Sequence, residues 1–443
     1  MTGMIDVNWL AAQLQNRTMR GIALDTAALI RSGSIKVGAH LPSVRDLAQA
    51  LNVSPATVSA AWGQLRRQKV IAGRGRNGIW VCGDRVSPRP IRFEQIGNFG
   101  EHIVADLVMA SPDPALLPDL TQALISAAHT QNLHSYQREA IMPVLRDAVE
   151  PSWPYRAGAF MATDGGFDGM NLMLQTLIMP GSQVVIEDPT ASRLLDMLDN
   201  IGATVLTVAC DGEGPMPDQL AAALAKKPAA FIYQPRTHSH CGHAVTTSRF
   251  NELATVLAGF DGYIFEDDGI GDLSAHPARS LGTHYPERTI HVRSYSKVFG
   301  PDLRMAVMSG PAALIKQIQS FRNFGVGWSS RLLQHATAWL LQDAQTQKGV
   351  AAARQVYAER RAALVSALAR RGITVPARDG LALWLPVPSE QYALVTLAAR
   401  GYAVLPGKRC LLGEGQFIRI STSLIKTEQA EAVAEAIALA YGD

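Results

Sequence analysis

From about residue 105 onward, short apolar runs with strand character alternate with segments of helical periodicity. The strand candidates are Gln183–Ile186, Thr204–Val208, Ala229–Tyr233, Tyr263–Phe265, Thr289–Val292 and Met305–Met308. Helical runs such as Gly169–Ile178 and Pro217–Lys226 lie between most of them. Such alternation confines the chain to an α/β domain with a mostly parallel sheet, whose functional side chains gather at strand ends. The stretch 329–371 then reads as long and helical. Its last part, Val350–Arg371, leads into a small α+β subdomain of about 350–443. There Leu381–Leu385 and Phe417–Ser421 read as strands and Thr427–Tyr441 as a closing helix.

The first ninety residues follow another pattern. They carry twelve Lys/Arg and four Asp/Glu, while the other residues carry 29 and 34, so a segment of +8 precedes one of −5. A basic module on an acidic body points to nucleic acid as a partner of the small part. Residues 8–31 read as one amphipathic helix, and Ser34–Val37 as a short strand. Ser43 is the expected N-cap of a helix Val44–Leu51, and Asn52-Val53 a tight turn. Ser54 is the expected cap of a helix Pro55–Lys69, with proline at its tolerated first position. Two strand-like runs, Val70–Ala72 and Gly78–Val81, flank a basic tip containing Arg74 and Arg76. Two helices across a tight turn, then a hairpin with a basic tip, make a winged helix-turn-helix. Its third helix suits the major groove, and its wing suits phosphates or the minor groove.

The run Gly38-Ala-His-Leu-Pro-Ser-Val-Arg45-Asp-Leu-Ala48 resembles the GntR-type DNA-binding domain over about eighty residues. The resemblance puts Arg45 on the DNA backbone, Thr57 and Ser59 near DNA, and Arg74 and Arg76 in the wing. Many relatives carry arginines where this chain has Pro55 and Ala56, so guanine readout from the helix is weak here. Arg66, Arg67 and Lys69 read as a solvated helix face. The expected organisation is a DNA-binding domain over 1–83, a tether over 84–104 and the large domain over 105–443. No run of apolar residues is long enough for a membrane span, and residues 1–6 lack the basic and apolar regions expected of a signal peptide. The four scattered cysteines read as reduced thiols of a cytoplasmic protein.

Within the large domain, one stretch carries chemistry: Ser294-Tyr-Ser-Lys297-Val-Phe-Gly-Pro-Asp-Leu-Arg304, directly after the strand at 289. Lys297 alone reads as well as a solvated lysine. With flanking hydroxyls and an arginine, it becomes a candidate Schiff-base nucleophile beside a phosphate site. Thr163-Asp-Gly165-Gly166 precedes a helix, whose free N–H groups hold anions. Glu266-Asp267-Asp268 ends a strand and offers carboxylates.

This set resembles the aminotransferase-like enzymes that use pyridoxal phosphate (PLP), over most of 105–443. The resemblance implies PLP as a Schiff base on Lys297 and Asp267 on its pyridine nitrogen. It puts Ser294, Arg304, Gly165 and Gly166 at the phosphate, and Arg419 on the carboxylate of a substrate or effector. Tyr136 matches a tyrosine that reaches the neighbouring subunit's phosphate. Four departures stand out. Gly166 replaces a hydroxyl residue, and Gly269 or Ile270 a tyrosine. Ser239 replaces an asparagine facing the phenolic oxygen, and Ala191 or a neighbour replaces the stacking aromatic.

His238, His240 and His243 raise a metal site, with Cys241 as the one further ligand in sight. Replacement of lost cofactor contacts is the preferred reading for them, and no metal is expected. The two halves together resemble the MocR subgroup of transcriptional regulators. That resemblance implies a head-to-tail, domain-swapped homodimer on a double-stranded DNA operator, controlled by a small effector such as PLP, an amino acid or a related acid. The missing contacts argue against efficient transamination, so no residue is assigned a catalytic role. An active aminotransferase with an accessory domain, and a regulator sensing a ligand other than PLP, remain as alternatives.

Overall fold

The first expected helix proves to be two. In the computed structural model, which describes residues 5–31, 34–67, 70–73, 78–82, 90–94, 103–376 and 378–441, α1 spans Val7–Gln13 and α2 Met19–Arg31. The Asp25 carboxylate accepts the N–H groups of Gln15 and Asn16 at 3.0 and 3.3 Å, and Thr18 Oγ1 accepts Gly21 N–H at 3.1 Å. These side chains offer the backbone a turn in place of helix. Gly21 permits the tight return, because a Cβ there would lie 2.4 Å from Asn16.

The expected strand at 34–37 is also displaced. Strand β1 is His40–Leu41, while Ile35 is buried in the core. The turn at Gly38, with φ +77°, sets this offset. Helices α3 (Val44–Leu51) and α4 (Pro55–Arg67) follow, capped by Ser43 and Ser54 at 3.2 Å each. Asn52 sits in the left-handed region between them. Strands β2 (Ile71–Ala72) and β3 (Ile79–Val81) complete an antiparallel sheet of order β1-β3-β2. Leu10, Ile22, Leu47, Leu51, Val58 and Trp62 fill the core of this unit.

The chain divides into compact units at Met1–Arg89 and Pro90–Asp443. The large unit thus starts inside the expected tether. Its first helix, α5 (Ile91–Glu94), is tied to it by the Arg92 and Phe93 N–H groups on Asp196, at 3.2 and 2.9 Å.

The elements that follow are β4 (Ala105–Asp106), α6 (Thr121–Ala128), α7 (Pro143–Val149), β5 (Ala159–Thr163), α8 (Gly166–Leu177), β6 (Gln183–Asp188), α9 (Ser192–Ile201), β7 (Thr204–Ala209), α10 (Pro217–Leu224), β8 (Ala230–Tyr233), α11 (Thr247–Val256), β9 (Tyr263–Asp268), β10 (Thr289–Ser294), β11 (Ala306–Gly310), α12 (Ala312–Arg322), α13 (Arg331–Gln342) and α14 (Ala344–Ala369). The sheet order is β5-β11-β10-β9-β8-β6-β7, with β11 antiparallel to both its neighbours. All six strands read from the sequence are present. β5 was not read, because Ala-Phe-Met-Ala-Thr has little β-branched character. Alternation sorts the strands' side chains. Val184, Ile186, Ile232, Phe265 and Val292 pack on one face with Leu174 and Leu195, whereas Val185, Phe231, Tyr233 and Ile264 pack on the other with Leu253.

The long helical stretch splits at Asp343, whose carboxylate caps α14 through Thr346 N–H at 2.7 Å. The remaining elements are β12 (Ala382–Pro386), α15 (Glu390–Ala399), β13 (Tyr402–Ala403), β14 (Leu405–Pro406), β15 (Phe417–Ser421) and α16 (Ala430–Leu439). Leu107 joins their core, and β4 pairs with β13. The C-terminal layer therefore also uses the start of the large unit. Among the described residues, no helix is long and apolar enough to cross a membrane.

Candidate functional site

The site lies at the C-terminal ends of the parallel strands. Gly165, with φ +105°, leads into α8 without any side-chain cap, so the first N–H groups of α8 have no capping side chain. A Cβ on Gly166 would lie 3.1 Å from Ser294 Cβ. The glycine is thus a packing requirement of Ser294, whose hydroxyl reaches Ser296 Oγ at 3.3 Å. Arg304, held at φ +48°, donates to Asp164 O at 2.7 Å and keeps its exposed guanidinium beside Gly165. Arg193 lies between the rings of Phe93 and Phe167, 4.6 and 4.4 Å from their centres. Burial and the nearby Arg304 charge lower its pKa. Two guanidiniums beside a free helix N-terminus make a phosphate cradle.

Strand alternation resolves the acidic trio. Glu266 and Asp268 point to one face. Glu266 accepts Tyr233 Oη at 2.7 Å and faces His291 Nδ1 at 2.8 Å, while Asp268 pairs with Arg293 at 3.3 Å. Asp267 points to the other face and lines a small cavity with Phe167, Ala191, Ile232 and Tyr233. Gln234 Nε2 donates to Asp267 Oδ2 at 2.8 Å. Burial pushes the Asp267 carboxyl up to about 6. A protonated pyridine nitrogen there would stabilise the ionised form.

Lys297 is half-buried and donates to Ala110 O at 2.5 Å. Burial, then the Arg419 charge, brings its ammonium down to about 8, within reach of the neutral amine a nucleophile requires. Arg419 on β15 is buried, gives one N–H to Val108 O at 2.5 Å, and has no partner for Nε. That unused edge fits a carboxylate. These donor types in this arrangement fit PLP: a phosphate cradle, a buried acid, a lysine whose pKa burial lowers and a guanidinium with an unused Nε.

Other expected residues are placed differently. The Ser239 hydroxyl faces His240 Nδ1 at 2.9 Å, and its N–H is held by Gln234 Oε1 at 2.6 Å. Ala191 lines the cavity without offering a ring, and Gly269 lies beside Asp267. Tyr136 is 88% exposed and packs edge-on against Trp328, so one chain does not bring it into this set. In the small unit, Arg45 and Ser59 are exposed and Thr57 half-buried, all on α3 and α4. Arg74, Arg76 and Lys69 lie outside the described residues. Arg66 is partly buried and reaches Gly73 O at 3.3 Å, so it is not merely a solvated charge.

Residues 106–437 match aminotransferase class I and II, and residues 20–81 match the bacterial regulatory proteins of the gntR family. The vitamin B6 salvage pathway transcriptional repressor PtsJ of Salmonella typhimurium is 31% identical over 86% of this chain and 88% of its own length. This chain belongs to the MocR subgroup of GntR-type regulators. The HTH-type transcriptional regulator TauR of Rhodobacter capsulatus is 26% identical, covering 86% of each chain. The kynurenine aminotransferase of Pyrococcus horikoshii superposes with a TM-score of 0.72 at 18% identity, over 81% of this chain and 95% of that one. That likeness bears on the fold alone. The class I and II aminotransferases are PLP-dependent as a family.

This MocR-type chain also carries polar residues that sequence reasoning missed. Gln234 links Asp267, Ser239 and, through its N–H, Glu187 Oε2 at 2.6 Å. Glu187 is fully buried, with His243 Nε2 3.4 Å and Cys210 Sγ 3.8 Å from its Oε1. The available signals were Glu187 at the end of a read strand and the histidine-rich loop. Their meeting depends on β6 lying next to β8.

Proposed function

We propose that this chain is a DNA-binding transcriptional regulator whose aminotransferase-type domain holds PLP on Lys297 and uses the site to control operator binding, without serving transamination. The carrying observation is the retention of Lys297, Asp267, Arg304 and the Gly165–Gly166 helix start beside a winged helix-turn-helix, together with loss of the ring-holding contacts. PLP, when bound, supplies an electrophilic aldehyde and an electron-withdrawing ring. The Lys297 amine, brought down to about 8, is the group that engages that aldehyde. Asp267, steadied by Gln234, holds a proton on the ring nitrogen. Arg304 and the start of α8 bind the phosphate, and Arg419 takes a carboxylate. Gly269, Ala191 and the engaged Ser239 would offer a bound ring neither a stacking aromatic nor a hydroxyl or amide for its phenolic oxygen.

Residues of the small unit supply DNA contact: Arg45, Thr57 and Ser59, with Arg74 and Arg76 in the wing. Exposed Tyr136, Phe324 and Val326, at 88%, 91% and 63%, suit an interface with a second copy, which supports a head-to-tail, domain-swapped dimer. PLP is a B6 vitamer, and a 31% identical relative is named as a repressor of vitamin B6 salvage, which supports PLP as effector as well as cofactor. The test treats the purified protein with PLP and borohydride, maps the adduct, and assays keto-acid formation across the common amino acids. The proposal requires an adduct on Lys297 and no multiple turnover. Sustained turnover would replace it with the aminotransferase reading, and no adduct at Lys297 would favour another ligand.

A further inference from the structure

At the wall of the cofactor cavity, which Glu187 lines, the C-terminal ends of β6 and β7 meet the loop after β8 in a cluster to which the function above assigns no role. Candidate ligand atoms of Glu187, Cys210 and His243 lie within 4.8 Å of one another, and those of His238, Cys241 and His243 do as well. In the first group the separations are 3.4 Å from His243 Nε2 to Glu187 Oε1 and 3.8 Å from Cys210 Sγ to the same oxygen. Zn–N and Zn–S bonds of about 2.0 and 2.3 Å at tetrahedral angles place ligand atoms about 3.3–3.8 Å apart. Two of the first group's three separations therefore match those of a coordination shell.

The second group does not serve as a whole. His238 Nδ1 accepts the N–H groups of His240 and Cys241 at 3.3 and 3.1 Å, so its proton sits on Nε2 and no ligating lone pair is free. Its ring also stacks on His243 at 4.6 Å and 22°, and near-parallel rings do not converge on one ion.

Charge supplies an independent reason for a cation. Glu187 is 1% exposed and pairs with no lysine or arginine among the described residues. A buried carboxylate that faces an imidazole and a thiol, with no cationic side chain on it, is suited to a metal ion.

We propose that Glu187, Cys210 and His243 form a three-residue binding site for a thiophilic divalent cation of the Zn2+ class, with the fourth position taken by water. On binding, the Cys210 thiol releases its proton to solvent and coordinates as thiolate, while His243 coordinates as neutral imidazole. Cys210, half-exposed, marks the way in. Glu187 Oε2 keeps its bond from Gln234 N–H, and Gln234 holds Asp267, so the ion braces the same loop that positions the pyridine partner.

The test uses the full-length, tag-free protein, reduced and stripped with a chelator, then titrated with Co2+ and back-titrated with Zn2+. The expected result is one Co2+ per chain with a thiolate charge-transfer band and four-coordinate d–d bands, displaced by Zn2+. Cys210→Ser should abolish the charge-transfer band, and Cys82→Ser should leave it intact. Glu187→Gln keeps the oxygen that accepts Gln234 N–H and should weaken Co2+ binding by about tenfold or more. Thermal melts of the metal-free variants identify those that fold. The proposal is overturned if wild-type protein takes up no stoichiometric Co2+ or Zn2+. It is also overturned if folded Cys210→Ser and Glu187→Gln bind Co2+ with wild-type affinity and spectrum. PLP uptake is read separately on Lys297, so failure here leaves the cofactor proposal intact.

Discussion

The Gln234 side-chain amide donates to the Asp267 carboxylate at 2.8 Å while its carbonyl accepts Ser239 N–H at 2.6 Å. One residue therefore fixes both Asp267 and the loop that carries Ser239. Gln234→Leu removes both bonds. Asp267, already raised by burial, should rise further, because the bond that holds it down is lost. Hydrogen bonds to charged groups contribute about 1.5–3 kcal/mol, so PLP should bind roughly 10- to 100-fold more weakly. Absorbance titration with PLP checks this.

Uptake of PLP should depend on pH through Lys297. The neutral amine is the reacting form, and burial brings the ammonium down to about 8. The rate should climb about tenfold per pH unit below that value and level off above it. Arg419 is the second cause of the lowering. Arg419→Gln should therefore move the inflection upward, as stopped-flow traces over a pH series would record.

Gly166 and Ser294 form a packing pair. Gly166→Ser restores the hydroxyl common in relatives but sets a Cβ 3.1 Å from Ser294 Cβ. Overpacking of this kind costs about 1–3 kcal/mol. Thermal melts should show the loss in Gly166→Ser and recovery in Gly166→Ser/Ser294→Gly.

Much of this was legible in the chain. The six sheet strands and the caps at Ser43 and Ser54 follow from periodicity and side-chain chemistry. The break after Leu14 was not legible, because Asp25 causes it from the following helix. Nor was the weakly patterned β5. The acidic trio could be sorted only once its strand was known to run through Asp268, since alternation then separates Asp267 from its neighbours. Glu187, Cys210, Gln234 and His243 lie on three segments. Only the order β8-β6-β7 brings them together, and that order is a property of the sheet.

DNA binding should weaken in Arg74→Ala/Arg76→Ala. If both contact phosphate, the slope of log K against log salt should flatten by about 1.8, at about 0.9 per contact. Fluorescence anisotropy over a salt series, on duplexes selected from a random pool by the full-length protein, gives the slope. Arg45→Ala should flatten it by about half as much.

In the proposed function, the Lys297 site communicates with the DNA-binding unit. Linkage requires that any factor by which PLP changes DNA affinity also be the factor by which DNA changes PLP affinity. The direct measurement is the Kd for a selected duplex with and without PLP, for wild type and Lys297→Ala. A PLP-dependent change of about 5- to 150-fold, the usual span of such couplings, is expected in wild type and none in Lys297→Ala. Equal DNA affinity with and without PLP in wild type, in protein shown to carry PLP on Lys297, would contradict it.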